Sequence, residues 1–337
     1  DFEIETYTGD SDKGTLIAWV EIPTLSASAD TYFYIHYGND GSIFKIDSSS
    51  QVWDGQSSGG KTYVVVNHLD NTPTDTNNDK EMIGSLVGTD DDFGTAGNTG
   101  GMSADNVVTG KIFNAIDLNE GSTGQHVCLE DDGNHETCSG NSEIFTEITG
   151  YDNGYRSVSI WYKVDSTHIS NSIYQVLFEE GGGNGQSIYI YDNKIYGCTS
   201  RSDVGTCGYT STTPNVWHHA VLIWADNAES YLYHDGTLGE STQTFDGAVA
   251  ARHTNQAALG RSMGSAAKLG DGNFGSGGSF KFDGILDEFR VTNTRLPDDY
   301  IENMYNAEND PTNFVREGIH LSETLSLTDS VSKDPSI

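Results

Sequence analysis

Apolar and polar residues alternate along most of this chain, and the alternation predicts strands. Residues 217–224 (WHHAVLIW) are apolar on both faces and predict a strand buried on both sides. Residues 231–238 read strand, turn, strand, with Asp235-Gly236 supplying the positive φ that a tight hairpin needs. Residues 280–291 alternate through Phe280, Phe282, Ile285, Leu286, Phe289 and Val291, with Gly284 as a bend or bulge. Upstream, residues 15–22, 31–37, 61–69, 156–164 and 174–179 each predict a strand. In the fourth of these, Val158, Ile160, Tyr162 and Val164 fall on one face. Residues 187–196 predict a hairpin turning at Asp192-Asn193.

One helix is predicted, over residues 295–307. Pro297 sits in its first turn, where a missing N–H is harmless. Asp298 and Asp299 suit the helix N-terminus, and Tyr300, Ile301, Met304 and Tyr305 form one apolar face. Residues 318–337 carry Ile319, Leu321, Leu325, Leu327 and Val331 on one face of a lone strand, interrupted by Glu323 and Asp329. Such a strand is a linker, an edge strand folded back on its own domain, or a donor that completes a neighbour's sheet.

Composition agrees with strands joined by turns. Gly (39), Ser, Thr, Asp and Asn abound, while 17 Tyr, 13 Phe and 5 Trp supply bulky core material. Fifty acidic and 17 basic side chains leave a formal net charge of −33, which excludes a phosphate-backbone partner and disfavours anionic lipid. Two explanations of the acids stand: solubility in salty water, and divalent-cation binding. The chain opens at Asp1 without a leader or a long apolar run, so a processed chain or a piece of a longer one is expected, with no membrane span in it. Cysteines come as two local pairs, Cys128 with Cys138 and Cys198 with Cys207. Three connectivities exist, local pairing is the simplest, and the spacing is too wide for a zinc knuckle. Disulfides place the protein in an oxidising compartment, outside the cell.

WHHAVLIW, YLYHDGTL, LGRS and FDGILDEFRV, in that order, resemble the second half of a laminin-G-like jelly roll of the concanavalin-A-like class. Residues 111–127 and RSVSIWYKV resemble that family's earlier strands, and the family also closes with a short helix. FEIETY, LIAWVEIPTLSASADTYFYIHYGN and the following VWD resemble the C-terminal half of a prokaryotic surface domain of unknown function. That domain's opening strand pair has no counterpart here. Either the chain was cut there, or something else supplies the strands. The resemblance implies an all-β concanavalin-A-like (laminin-G-like) jelly-roll sandwich with a small N-terminal β-domain and one short C-terminal helix. It divides the chain into residues 1–56 (partial surface domain and linker), 57–317 (jelly roll) and 318–337 (amphipathic strand or linker).

The fold hosts lectins, adhesion modules, enzymes and structural domains, so function must come from the site. Glycosidases on it align acids along one strand face, and no segment here has that spacing. Asp287 and Glu288 are adjacent and fall on opposite faces, which suits a metal ligand or turn polarity. His218 and His219 follow Trp217 on a buried strand, where a hydrogen-bonded structural histidine is the simpler reading than a ligand. Calcium, which takes six to eight oxygens, is the one ion expected, in a structural role. Asp75, Asn77 and Asp79 alternate as in a calcium loop but lack the sharp-turn glycine, where Lys80 stands. By resemblance, a structural calcium would sit near Asn119 and Asp287. Glycan binding needs aromatic rings on an open face, for which Tyr189, Tyr191, Tyr231 and Tyr233 are the candidates, although core packing explains them equally well. The resulting expectation is a non-catalytic, extracellular cell-surface structural or adhesion protein. It would assemble with copies of itself into a filament or layer, by strand donation. The alternative is a calcium-assisted glycan-binding module, with a polysaccharide-active enzyme ranked below it.

Overall fold

The computed structural model describes residues 2–9, 14–22, 24–26, 28–35, 52–53, 63–70, 104–118, 125–129, 155–167, 169, 173–180, 185–201, 204–225, 230–241, 257–262, 267–268, 272–273, 280–292 and 294–314. The first strands are β1 (Phe2–Gly9), β2 (Gly14–Val20), β3 (Tyr63–Asn67), β4 (Val107–Thr109), β5 (Asn114–Leu118) and β6 (Val127–Cys128). The middle of the chain supplies β7 (Tyr155–Val164), β8 (Gln175–Glu180), β9 (Gln186–Tyr191), β10 (Lys194–Arg201), β11 (Val204–Ser211) and β12 (His218–Ala225). They are followed by β13 (Ser230–His234), β14 (Thr237–Leu238), β15 (Glu240–Ser241), β16 (Ala257–Leu259), β17 (Ala267–Lys268), β18 (Gly272–Asn273) and β19 (Gly284–Thr292). Helix α1 (Asp298–Asn309) comes next.

Two large sheets form. One has the order β15-β11-β10-β9-β8-β16-β6. The other runs β14-β13-β12-β7-β19-β5-β4, with β3 also paired to β19. They face each other across a single apolar layer. Val158, Ile160, Tyr162 and Val164 of β7 enter it from one side, and Leu177, Phe178, Ile188, Ile190 and Ile195 from the other. Each fully buried aliphatic or aromatic side chain of this kind contributes about 1.5–3 kcal/mol. Helix α1 covers the outside of the β19 sheet, where Ile301 and Met304 pack on Val221, Ile223, Tyr233 and Leu296.

Both predicted hairpins form. Asp192 and Asn193 (φ 48° and 61°) join β9 to β10, and Asp235 and Gly236 (φ 50° and 75°) join β13 to β14. Two residues of positive φ match the twist of the flanking strands. Cys198 and Cys207 stand directly opposite in the β10–β11 ladder and are disulfide-bonded. Cys138 lies outside the described residues.

Three local expectations are corrected. Residues 31–35 form no strand among the described residues, and Tyr32, Phe33, Tyr34 and Ile35 are exposed. Helix α1 begins at Asp298, not residue 295, because Pro297 adopts extended backbone (φ −65°, ψ 152°) and stands outside it as the N-cap. The bulge of β19 is not at Gly284. Its ladder to β7 shifts between Asp287 and Arg290, where Glu288 takes φ 52°. Leu286 and Phe289 therefore both enter the core, and Asp287 and Glu288 share the outer face instead of opposing faces.

Candidate functional site

The outer face of the β8–β11 sheet is built from tyrosine. Because strand side chains alternate, Ile188, Ile190 and Ile195 point into the sandwich while Tyr189, Tyr191 and Tyr196 point out. Register then aligns Tyr189 with Tyr196 and Tyr196 with Tyr209. Their rings stack at 5.0 and 5.6 Å between centroids. Tyr174 stacks on Tyr191 at 4.4 Å and meets Phe280 edge-on. The Lys194 ammonium lies 4.7 Å from the Tyr209 ring centre. Tyr189 and Tyr196 are buried, partly beneath β17, whereas Tyr174, Tyr191 and Tyr209 form a half-open rim. Burial and the neighbouring Tyr209 push the Tyr196 phenol up, and a hydrogen bond to Glu240 does the same for Tyr209.

The four tyrosines singled out from sequence do not share this face. Tyr191 is on the rim and Tyr189 is in the buried layer. Tyr231 and Tyr233 are on the opposite sheet, against the α1 segment. The Arg295 guanidinium covers Tyr231, and the Tyr233 hydroxyl donates to Asp298 Oδ1 at 2.6 Å. Burial and Asp298 push the Tyr233 phenol up to about 12. Tyr174, Tyr196 and Tyr209 were not singled out. The hairpin at 192–193 places Tyr196 opposite Tyr189, so that pairing was available from its register; Tyr209 and Tyr174 needed the strand order.

A second constellation joins the N-terminal hairpin to the sandwich. Glu288 accepts from His68 Nδ1 at 2.9 Å and from Arg290. The other arm of Arg290 donates to Glu308 at 2.6 Å, and Glu308 also accepts from Trp161 Nε1. The guanidinium lies over the Trp19 ring at 4.5 Å and near Trp53 at 5.2 Å. Those indoles donate to Glu5 and Glu3 of β1, and His68 stacks on Trp19. Burial pulls the His68 imidazole down, but Glu288, Glu3 and Glu5 outweigh it and hold the ring protonated well above its usual range. Burial, helped by Glu288, pushes the Glu5 carboxyl up to about 7. Burial also works against the Glu288 carboxylate, yet His68 and Arg290 keep it ionised below its usual range. Glu5, His68 and Glu288 can each turn one atom toward a common point. His68 and Glu288 already satisfy each other, so the arrangement is first an ion-pair seam between elements.

Among the residues expected near calcium, Asp287 is fully buried. Its Oδ2 accepts the backbone N–H groups of Lys111 at 2.6 Å and Ile112 at 3.1 Å, which ties the β4–β5 turn to β19. Burial and the adjacent Glu288 push its carboxyl well above the usual range. Asp75, Asn77, Asp79 and Asn119 lie outside the described residues, as do Ile319, Leu321, Leu325, Leu327 and Val331. Of the histidine pair, His219 packs on Trp161 at 5.0 Å and burial holds it neutral, its pKa lowered to about 3. His218 turns the other way.

A family model described as the concanavalin A-like lectin/glucanases superfamily, of laminin G type, matches residues 132–302, about half of the chain. The chain belongs to this superfamily. The sandwich of two antiparallel sheets with one C-terminal helix is the superfamily's fold, as the sequence resemblance implied. The matched stretch holds the tyrosine face and all of β19, but not β1 to β6. The chain is also similar to the receptor binding domain of botulinum neurotoxin C/D mosaic serotype, at 12% identity and a TM-score of 0.48. That match covers 73% of this chain and 51% of that one. It is similar to the binding domain of botulinum neurotoxin serotype D/C as well, at 14% identity and a TM-score of 0.46, covering 73% and 52%. The chain spans about half the length of these structures. No curated protein matches it. Among the described residues, no helix of this superfamily member is long and apolar enough to cross a membrane.

Proposed function

We propose that this superfamily member is a non-catalytic, extracellular surface and adhesion module that assembles with copies of itself by β-strand addition at its N-terminal hairpin. The observation that carries the proposal is the inside-out character of β1–β2. Its polar Glu3 and Glu5 turn inward to Trp53, Trp19 and His68, while Tyr7, Leu16 and Val20 are exposed. The hairpin is a two-stranded sheet, and neither outer edge is paired among the described residues. Two strands alone are marginal in water, and an open edge with apolar side chains is a template for a further strand. Residues 318–337 carry the alternating apolar pattern a donor needs, and the exposed residues 31–35 offer a second one. The buried Cys198–Cys207 bond supports an oxidising compartment.

The test is electron microscopy with light scattering on the full chain. Polymers are expected, lost on deleting residues 318–337 or on the double change Y32K/Y34K; which of the two acts identifies the donor. Monodisperse single particles across the concentration range, or polymers untouched by either change, overturn the proposal.

A second reading has its own observation, the half-open rim of Tyr174, Tyr191 and Tyr209 flanked by Lys194 and Glu240. Such a rim suits stacking on a sugar ring, as in a lectin, with calcium in a supporting role. Glycan-array binding lost in Y191A would favour it over assembly alone.

A further inference from the structure

The turn after β13 does more than reverse the chain. With Asp235 at φ 50°, its carboxylate points back at β12. Oδ1 accepts the His219 backbone N–H at 2.9 Å. Oδ2 lies 2.7 Å from His218 Nδ1 and 3.9 Å from His234 Nδ1. The two imidazoles are adjacent, with centroids 4.7 Å apart. Each has its far nitrogen held by a hydroxyl: His218 Nε2 by Thr213 Oγ1 at 2.9 Å, and His234 Nε2 by Tyr162 Oη at 2.9 Å. Tyr162 Oη is itself 2.6 Å from Thr212 Oγ1. When Tyr162 donates to Thr212, it accepts from His234 Nε2–H, which leaves the His234 Nδ1 lone pair facing the Asp235 carboxylate.

A structural histidine–aspartate hydrogen bond explains His218 but not His234. At 3.9 Å the second ring makes no hydrogen bond to Asp235, although its Nδ1 faces the carboxylate.

We propose that His218 Nδ1, His234 Nδ1 and Asp235 Oδ2 form a site for a zinc-class divalent transition-metal cation. One ligand atom from each of the three residues lies within 4.8 Å of the other two. Bonds of about 2.0–2.1 Å at a tetrahedral angle place ligand atoms roughly 3.4 Å apart. The 2.7 Å contact must open and the 3.9 Å contact must close, each by a fraction of an ångström. Thr213 and Tyr162 are the orienting hydroxyls such sites use. The Asp235 side chain is 28% exposed, so a fourth position faces solvent. Calcium and magnesium, which take oxygen ligands, are not matched. Binding requires the single imidazole proton of His218 to move from Nδ1 to Nε2, with no net proton released, and the Thr213 hydroxyl reverses from donor to acceptor.

The test is calorimetric titration of tag-free full chain with Zn(II), with Ca(II) in parallel. One equivalent of zinc should bind, H234A should bind at least tenfold more weakly, and Y162F about tenfold more weakly. Near-UV circular dichroism checks that H234A is folded. Independently of any variant, Co(II) should give the visible absorption of a tetrahedral nitrogen–oxygen site. No zinc heat and no cobalt band in the wild type would overturn the site. So would a folded H234A that binds zinc as tightly as the wild type.

Discussion

Arg290 shows what a single side chain does in this molecule. It is fully buried, bridges Glu288 and Glu308 with separate arms of its guanidinium, and lies against two indole rings. Removing one partner of a buried ion pair leaves the others uncompensated, at about 3–5 kcal/mol. R290M is therefore expected to lower stability by that order, read from the urea midpoint. R290K is expected to recover only part of it, because an ammonium cannot span both carboxylates or stack between the rings. Little of this was legible beforehand. Arg290 was not among the candidate residues, while His68 and Glu288 are 220 residues apart and Trp53 and Glu3 are 50 apart. Such contacts depend on strand order, which local patterning does not carry.

Elements were far more legible, because their signals are local. The turns at Asp192-Asn193 and Asp235-Gly236 formed where the residues tolerant of positive φ stand. The β7 core face is the one its alternation named. Misreadings arose where one residue breaks the period. In β19 the three-residue step from Leu286 to Phe289 was itself the sign of a bulge, and Gly284 drew the assignment because glycine is the usual marker. Gly284 has a different task. Its φ is 149°, and an added Cβ would stand 2.3 Å from the Lys163 carbonyl oxygen and 2.9 Å from Val164 Cα. G284A must displace β7 backbone as well as strain its own, so a loss of about 3 kcal/mol or more is expected. A thermal melt within a degree or two of wild type would show that β7 and β19 can separate there at little penalty.

At the scale of the whole molecule, the seam between the N-terminal hairpin and the sandwich makes stability depend on pH in an unusual direction. Glu5 has its folded pKa raised from 4.5 to about 7, by burial and then by Glu288. A raised carboxyl pKa means that the folded state holds a proton the unfolded state has released, so stability falls as pH rises from 4.5 to about 7. His68 acts with the same sign. Its folded pKa also lies above its unfolded value of 6.5, and its contribution is lost as pH rises through the folded value. Glu288, held below its usual range, opposes them only in stronger acid, where its protonation removes the partner of His68 and Arg290. The net charge of −33 works with Glu5 and His68, because self-repulsion eases as surface acids are protonated. His219 and His234, whose folded pKa values burial lowers to about 3 and about 4, act with the opposite sign as pH falls below 6.5. Urea midpoints of the wild type should therefore decline from about pH 6.5 toward pH 8. E5Q separates the seam from the surface. It keeps an oxygen to accept from Trp19 Nε1 and removes a seam carboxylate that resists ionisation. It is expected to match the wild type near pH 4 and to exceed it at pH 8, with a ceiling of about 3 kcal/mol from the shift. Identical pH slopes in E5Q and wild type would exclude Glu5 and leave the dependence to His68 and the acidic surface.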